Sequence, residues 1–297
     1  MQSCAGSNIN PADTQVRPPS WFRDTPLDLS RQSIRLLEVL GGLSSGGRIQ
    51  CRLVHSTTRS VYQCLSYCWR PPDKDESHHV IEIDGALFSV LSNLWAFLEA
   101  FRLQARYTCR TQQLWIGAVC IDQATTLERN HVVRNMAAIY SQAHQVIVWL
   151  GSGDQGQKKA LEQMGRHSPS TQTPEELESL LALCENEYWD RIWVVQEVIL
   201  AKKLVLMYDN QQIPWSSWVI LHRKQSYLHK VQDVQQSDKV KERFNSSEGR
   251  VIFLEYSKFR ERNSNSSWGS FLRRLESASV RTFVTASLRS SVSAKKV

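Results

Sequence analysis

The stretch Leu114–Gly151, LWIGAVCIDQATTLERNHVVRNMAAIYSQAHQVIVWLG, carries the hydrophobic rhythm that decides the fold class. Leu114–Ile121 is apolar with almost no polar relief, the pattern of a strand buried on both faces of a parallel sheet. Asp122 and Gln123 close it. Thr125 and Glu128 then stand at the S/T-x-x-E spacing of a capping box, which starts a helix by satisfying free backbone N–H groups. Val133, Met136, Ala137, Tyr140 and His144 recur at helical spacing, a stripe suited to lie on a sheet, with Arg129, Arg134 and Gln142 turned to water. Val146–Leu150 is a second apolar strand, ended by Gly151. Strand, loop, helix and strand in one run predict a βαβ crossover.

Similar units flank it. Ile34–Leu40 reads as a leading strand, Gly41–Gly47 (GGLSSGG) as a flexible break, and Tyr62–Trp69 as another strand. The glycine-rich break lacks the Gly-Lys-Ser/Thr ending of a phosphate loop. Val80–Ile83, Asp84-Gly85 and Ala86–Val90 form a hairpin pattern, because Asp-Gly supplies the positive φ angles of a type I′ turn. Leu94, Phe97, Leu98 and Phe101 give an amphipathic helix from Ser92. Beyond Gly151, helices are expected at Lys158–Arg166, from Thr173 to Cys184, and at Arg191–Leu200 with Asp190 as its cap. Lys203–Tyr208 reads as a further strand. Alternating strands and helices indicate an α/β sheet wound by right-handed crossovers. Ligands in such sheets bind at strand carboxyl ends, here Ser66–Arg70, Ile121–Thr125 and Leu150–Gln155.

With 297 residues, 41% hydrophobic content and ten Trp, the chain can bury a sizeable core. No run of about 18 apolar residues predicts a membrane span, and Met1–Pro19 lacks the apolar centre of a secretory signal. A cytoplasmic protein is expected. Seven Cys, odd in number and without Cys-x-x-Cys, favour reduced thiols over a disulfide framework or a zinc site. Cys64 and Cys68 on one strand would stand about 13 Å apart, too far to share an ion. The net charge of +7 is uneven: residues 221–297 carry +9 and residues 1–220 carry −2. Such a tail suits a solvated extension; it also allows phosphate attraction, but no helix-turn-helix, zinc finger or RNA-binding aromatic signature accompanies it.

The motifs along this run closely resemble those of the fungal heterokaryon-incompatibility (HET) domain. They are Leu114-Trp115-Ile116-x-Ala118-Val119-Cys120-Ile121-Asp122-Gln123, Glu128-Arg129, Met136-x-x-Ile139-Tyr140-x-x-Ala143 and Val146-x-Val148-Trp149-Leu150-Gly151. Upstream, Tyr62-Gln63-Cys64-Leu65-Ser66-Tyr67-Cys68-Trp69 looks like the family's opening strand, and Asn93-Leu94 like the start of its next helix. Downstream, Arg191-Ile192-Trp193-Val194-Val195-Gln196-Glu197 looks like its Arg-x-Trp-x-x-Gln-Glu element. The similarity spans about half the chain. It implies a loose leader over 1–33, a HET domain over 34–218 and a basic, polar extension over 219–297. Two positions depart from the family pattern: Gly117 stands where a carboxylate is usual, and Arg70 where glycine is.

HET domains are similar in outline to TIR domains, so the resemblance implies a flavodoxin-like, mainly parallel sheet flanked by helices, with the hairpin as an insertion. It also implies a role in self/non-self recognition and programmed cell death, with protein partners or self-association through the domain. In TIR enzymes the glutamate of the corresponding helix cleaves nicotinamide from NAD, which puts that role on Glu197, with NAD as substrate rather than resident cofactor and no metal. Ser66, Tyr67, Trp69, Asp122, Arg191 and Trp193 would shape the substrate pocket, Arg191 meeting a phosphate. Each has a plainer reading beside it. Glu197 pairs with Arg191 or Arg129, Tyr67, Trp69 and Trp193 pack in the core, Asp122 caps a turn, and Glu128 completes its capping box. A non-enzymatic interaction module shares the same fold.

Overall fold

The computed structural model of the chain describes residues 22, 25–69, 77–108, 112–165, 179, 182–183, 186–191, 197–198 and 200–218. They fall into two compact units, residues 1–64 with 69–139 and residues 65–68 with 140–297.

In the first unit, β1 (Ser33–Leu43) and β2 (Ile49–Thr57) form an antiparallel hairpin with Ile34 opposite Ser56 and Leu37 opposite Leu53. The glycine-rich segment is no slack linker. Gly41–Leu43 completes β1 past an irregularity in the pairing, and the turn closes with Ser44 N donating to Arg48 O at 2.9 Å and Gly47 N to Ser44 O at 2.8 Å. Gly47, at φ +73°, supplies the left-handed residue that this turn requires. β4 (His78–Ile83) and β5 (Ala86–Leu91) form the expected second hairpin, with Asp84 at φ 49° and Gly85 at φ 80°. Asp84 ties it to β2: its carboxylate accepts from Leu53 N at 3.0 Å, and its own N donates to Cys51 O at 3.1 Å. The helix α1 (Ser92–Thr108) buries Leu94, Phe97, Leu98 and Phe101 as its spacing predicts. Each such side chain contributes about 1.5–3 kcal/mol of burial.

β6 spans only Gln113–Trp115 and pairs antiparallel with β1 and parallel with β3 (Gln63–Tyr67). The apolar run that reads as one strand turns at Ile116 into a helical turn, α2 (Gly117–Cys120), closed by Cys120 N donating to Ile116 O at 2.8 Å. All of Leu114–Ile121 except the half-buried Ala118 is buried, so the lack of periodicity could not separate strand from helical turn. The strand order in this unit is β5-β4-β2-β1-β6-β3.

The crossover helix α3 (Thr126–Gln142) starts where the capping pattern places it, by a different device. Glu128 reaches past Thr125 to accept from Asp122 N at 2.8 Å, and Thr125 Oγ1 donates to Asp122 Oδ2 at 2.5 Å. Its other task is Arg35 of β1, whose Nη1 and Nη2 lie 2.5 and 3.2 Å from the two Glu128 oxygens. The buried face of α3 also differs from the expected stripe by one residue. Val132, Ile139 and Tyr140 are buried and Val133 is exposed, because Glu128 fixes the helix rotation and Val132 stands one turn after it.

In the second unit, β7 (Gln145–Trp149) runs parallel to β8 (Leu204–Tyr208), and β9 (Gln211–Pro214) returns antiparallel on β8 through a turn with Asp209 at φ 50°. The last three residues of β3 belong here, and the order is β3-β7-β8-β9. The helix α4 (Gln155–Gly165) is capped by Asp154, which accepts from Gln157 N at 2.7 Å; Lys158 pairs with Asp209 at 2.9 Å. Of the helix expected from Thr173 to Cys184, only Ser179, Ala182 and Leu183 are among the described residues. Most of the 1–33 leader, Arg70 and the basic 219–297 extension lie outside them.

The α/β expectation therefore holds and the mainly parallel one does not. Among the pairings with a defined register, β1/β2, β1/β6, β4/β5 and β8/β9 are antiparallel, while β2/β4, β3/β6 and β7/β8 are parallel. Hairpins account for three of the four antiparallel pairings, since a short turn can only return a strand antiparallel, and the sequence reading omitted β2 and β9, each of which follows such a turn.

Replacing Arg35 by Leu should destabilise the fold by about 3–5 kcal/mol, since Glu128 would be left buried and unpaired. Adding Glu128→Leu should recover part of the loss. Urea denaturation of the two variants measures both effects.

Candidate functional site

Three short pieces of the second unit bring a buried polar cluster together. Ser66 is buried on β3, where the strand's side chains are closed off from water from Cys64 onward. The second piece is a 3-10 turn, Glu187–Asp190, started by Asn186, whose side chain accepts from Tyr188 N at 2.9 Å and donates to Leu150 O at 2.7 Å. That turn is anchored by aromatic packing: Trp189 meets Tyr188 edge-on at 4.9 Å and stacks on Trp218 at 5.7 Å. The third piece is the helical segment containing Glu197 and Val198, both buried.

Glu197 is 5% exposed, and its carboxylate is the centre of the cluster. Ser66 Oγ donates a short hydrogen bond to Oε2, and Arg191 Nη2 lies 3.5 Å from Oε1. The Tyr140 hydroxyl also hydrogen-bonds the carboxylate. Tyr188 OH lies 2.6 Å from Ser66 Oγ, and the Arg191 guanidinium stands 5.9 Å from the centre of the Tyr188 ring. Burial pushes the Glu197 carboxyl above the usual carboxylate range, and Arg191, Ser66 and Tyr140 pull back only part of that rise. Burial likewise pushes the hydroxyls of Tyr67 and Tyr188 up, so both stay protonated donors at any ordinary pH.

Ser66, Arg191 and Glu197, each singled out in the sequence, thus meet, and Tyr67 lies close enough to feel the charges of Arg191 and Glu197. Glu197 pairs with Arg191, one of the two partners its sequence context offered. Trp69 lies beside Gly117, and Asp122 serves the start of α3, both in the first unit. The Asp122 carboxylate accepts from Ala124 N at 3.0 Å and from Thr125 Oγ1, so it is spent on starting α3. Trp193 lies outside the described residues. Tyr140, read only as part of the helix stripe, is one participant that the sequence reading missed, and Tyr188 is the other. Its signal was its place three residues before Arg191, since a tyrosine buried there needs a partner for its hydroxyl.

The Gly117 departure has a steric counterpart. A Cβ there would lie 3.1 Å from Trp69 Cζ2, so the indole occupies the space of a side chain at 117.

Residues 62–197 match the model of the family described as heterokaryon incompatibility protein (HET). The chain carries a HET domain. Over 98 residues it is 40% identical to "Heterokaryon incompatibility protein 6, OR allele" of Neurospora crassa. That match covers 30% of this chain and 14% of the relative, so the chain spans a small part of the curated protein it resembles. No solved structure matches. The HET match opens four residues before Ser66 and ends on Glu197, so its limits enclose the whole cluster. No helix among the described residues is long and apolar enough to cross a membrane.

Two outcomes follow for the HET domain. A carboxyl whose native pKa exceeds its unfolded value contributes stability that is fully present below the ordinary glutamate range and is lost as pH rises through the native pKa. Thermal unfolding across that window should show this decline in the native chain and a flatter profile in Glu197→Gln. Gly117→Asp should destabilise by about 1–3 kcal/mol, because it drives a polar group against the Trp69 indole. Removing the indole with Trp69→Ala should restore part of that loss in denaturant titrations.

Proposed function

We propose that this HET domain acts in fungal non-self recognition, signalling programmed cell death in the cytoplasm, and that the Glu197 cluster cleaves NAD when the domain associates with itself or a partner. The single observation that supports the chemistry is the direct hydrogen bond between Ser66, on the opening-strand motif, and Glu197, on the Arg-x-Trp motif. These are the two elements that a TIR-like, flavodoxin-type site would bring together. Breaking the bond between nicotinamide and ribose C1′ leaves the electron pair on a neutral leaving group, so no general acid is required. The positive charge developing on the ribose ring is what a carboxylate stabilises, and water then adds at C1′ and releases a proton. Ser66 and Tyr140 already hold the carboxylate through hydroxyls, the groups that ribose hydroxyls would replace. Arg191 Nη1 is buried without a hydrogen-bond partner among the described residues, a donor suited to a phosphate oxygen.

A second reading rests on the burial of Glu197 itself. A carboxylate engaged by Ser66, Arg191 and Tyr140 and shielded from water is a good internal tie, and a module that signals by association alone needs nothing more of it.

Purified, concentrated chain incubated with NAD should release nicotinamide, and Glu197→Gln should reduce the rate roughly 100- to 1,000-fold. Because the ionised carboxylate is the active form and its pKa is raised, the rate should climb with pH beyond the ordinary carboxylate range. Equal turnover in the variant removes Glu197 from the mechanism. Growth arrest that persists in a fungus expressing Glu197→Gln supports signalling by association.

A further inference from the structure

Tyr188 has no role in the chemistry described so far, yet it meets two of the three groups that hold Glu197. Its hydroxyl lies 2.6 Å from Ser66 Oγ, and its ring faces the Arg191 guanidinium at 5.9 Å. The donor order follows from proton counting. Ser66 has one hydroxyl proton, and it is committed to Glu197 Oε2; the Ser66 oxygen therefore accepts, and the tyrosine donates. Hydrogen bonds that run head to tail into a carboxylate reinforce one another and favour its ionised form. If Glu197 takes up a proton, it becomes the donor and the order reverses along the same three atoms. The tyrosine is fixed by backbone as well: Asn186 holds its N–H, and the same asparagine is tied to Leu150 O.

We propose that Tyr188 is a positioning residue that sets the ionisation of Glu197, through the Ser66 hydroxyl on one side and the Arg191 cation on the other. The proposal rests on Glu197 being the acting carboxylate of the site, and it adds a control point to it. The charged and titratable groups that face Glu197 are Arg191 and Tyr188 from the turn and the residue after it, Tyr67 from β3 and Tyr140 from the end of α3. Burial keeps the Tyr67 and Tyr188 hydroxyls protonated at ordinary pH, so the balance is struck between burial, the Arg191 charge and the hydroxyl donors.

Carboxyl titration of the full chain, labelled with carbon-13 at glutamate side chains and read by NMR, tests this without reference to turnover. The Glu197 signal is assigned as the one missing from Glu197→Gln. Tyr188→Phe keeps the ring over Arg191 and removes the donor, and should raise the Glu197 midpoint by about one unit, a tenfold change in proton affinity. Ser66→Ala should raise it at least as far, and the double variant should go no further than Ser66→Ala alone, since both act along one chain of bonds. A Tyr188→Phe midpoint equal to that of the native chain overturns the proposal. Should Tyr188→Phe fail to fold, an unmoved midpoint in Ser66→Ala overturns it equally. A shifted midpoint without nicotinamide release from the native chain leaves the positioning role standing and removes only the NAD reading. Nicotinamide release whose acid limb is the same in Tyr188→Phe does the reverse.

Discussion

The contact on which the first unit depends is the buried pair between Arg35 of β1 and Glu128 at the start of α3. Taking a guanidinium and a carboxylate out of water costs several kcal/mol each, and only close geometry with further hydrogen bonds offsets that. Both conditions are met. The two charged groups meet at 2.5 and 3.2 Å, Glu128 also takes Asp122 N, and Arg35 reaches the carbonyls of Cys120 and Thr25. The Phe22 ring covers the guanidinium at 4.8 Å. A pair of this kind tolerates no slippage. It fixes the rotation of α3, the turn that precedes it and the segment leading into β1, since each supplies an atom to the same two side chains.

The second unit holds a buried carboxylate of a different kind. Glu197 is as deeply enclosed as Glu128, but its cation stands at 3.5 Å, and the hydroxyls of Ser66 and Tyr140 also hydrogen-bond it. Neutral donors compensate less of the desolvation than a bidentate guanidinium does. The physical result is a raised carboxyl held by groups that can change donor and acceptor roles without moving. The Arg35 guanidinium binds both oxygens of Glu128, whereas burial raises the Glu197 carboxyl above its ordinary range.

How much of this was legible in the sequence depends on where the information lies. The Asp84-Gly85 hairpin and the Leu94-Phe97-Leu98-Phe101 helix follow from local rules, one from positive φ and one from periodicity, and both formed as read. β2 was missed although Ile49, Cys51 and Leu53 alternate with polar residues, β9 is only four residues long, and with them went the β1/β2 and β8/β9 antiparallel pairings. The Leu114–Ile121 run was misread because an apolar run with no polar beat is equally suited to a strand or to a buried turn of helix. The α3 stripe was displaced by one residue because Glu128 looked like a capping side chain, and its partner Arg35 lies 93 residues away. No local rule can announce a contact at that separation. Ser66, Arg191 and Glu197 were found through motif resemblance, which carries long-range information that periodicity lacks. Tyr188 was not, since its role exists only once the turn places its hydroxyl on Ser66.

Gly117 shows how a departure from a family pattern acquires meaning from its neighbours. Read alone, a glycine in place of a carboxylate is a lost function or a lost structural tie. In the fold it is half of a pair, since a Cβ at 117 would stand 3.1 Å from Trp69 Cζ2 and the ring would have to give by a few tenths of an ångström. A buried carboxylate there would have to be desolvated and would also displace an aromatic surface, two costs of the same sign. The indole instead covers apolar surface at no electrostatic cost, and the two residues are best treated as one exchange. A carboxylate at 117 therefore requires the aromatic residue of the Ser-Tyr-x-Trp turn to shift, so the identity of one residue constrains the placement of the other.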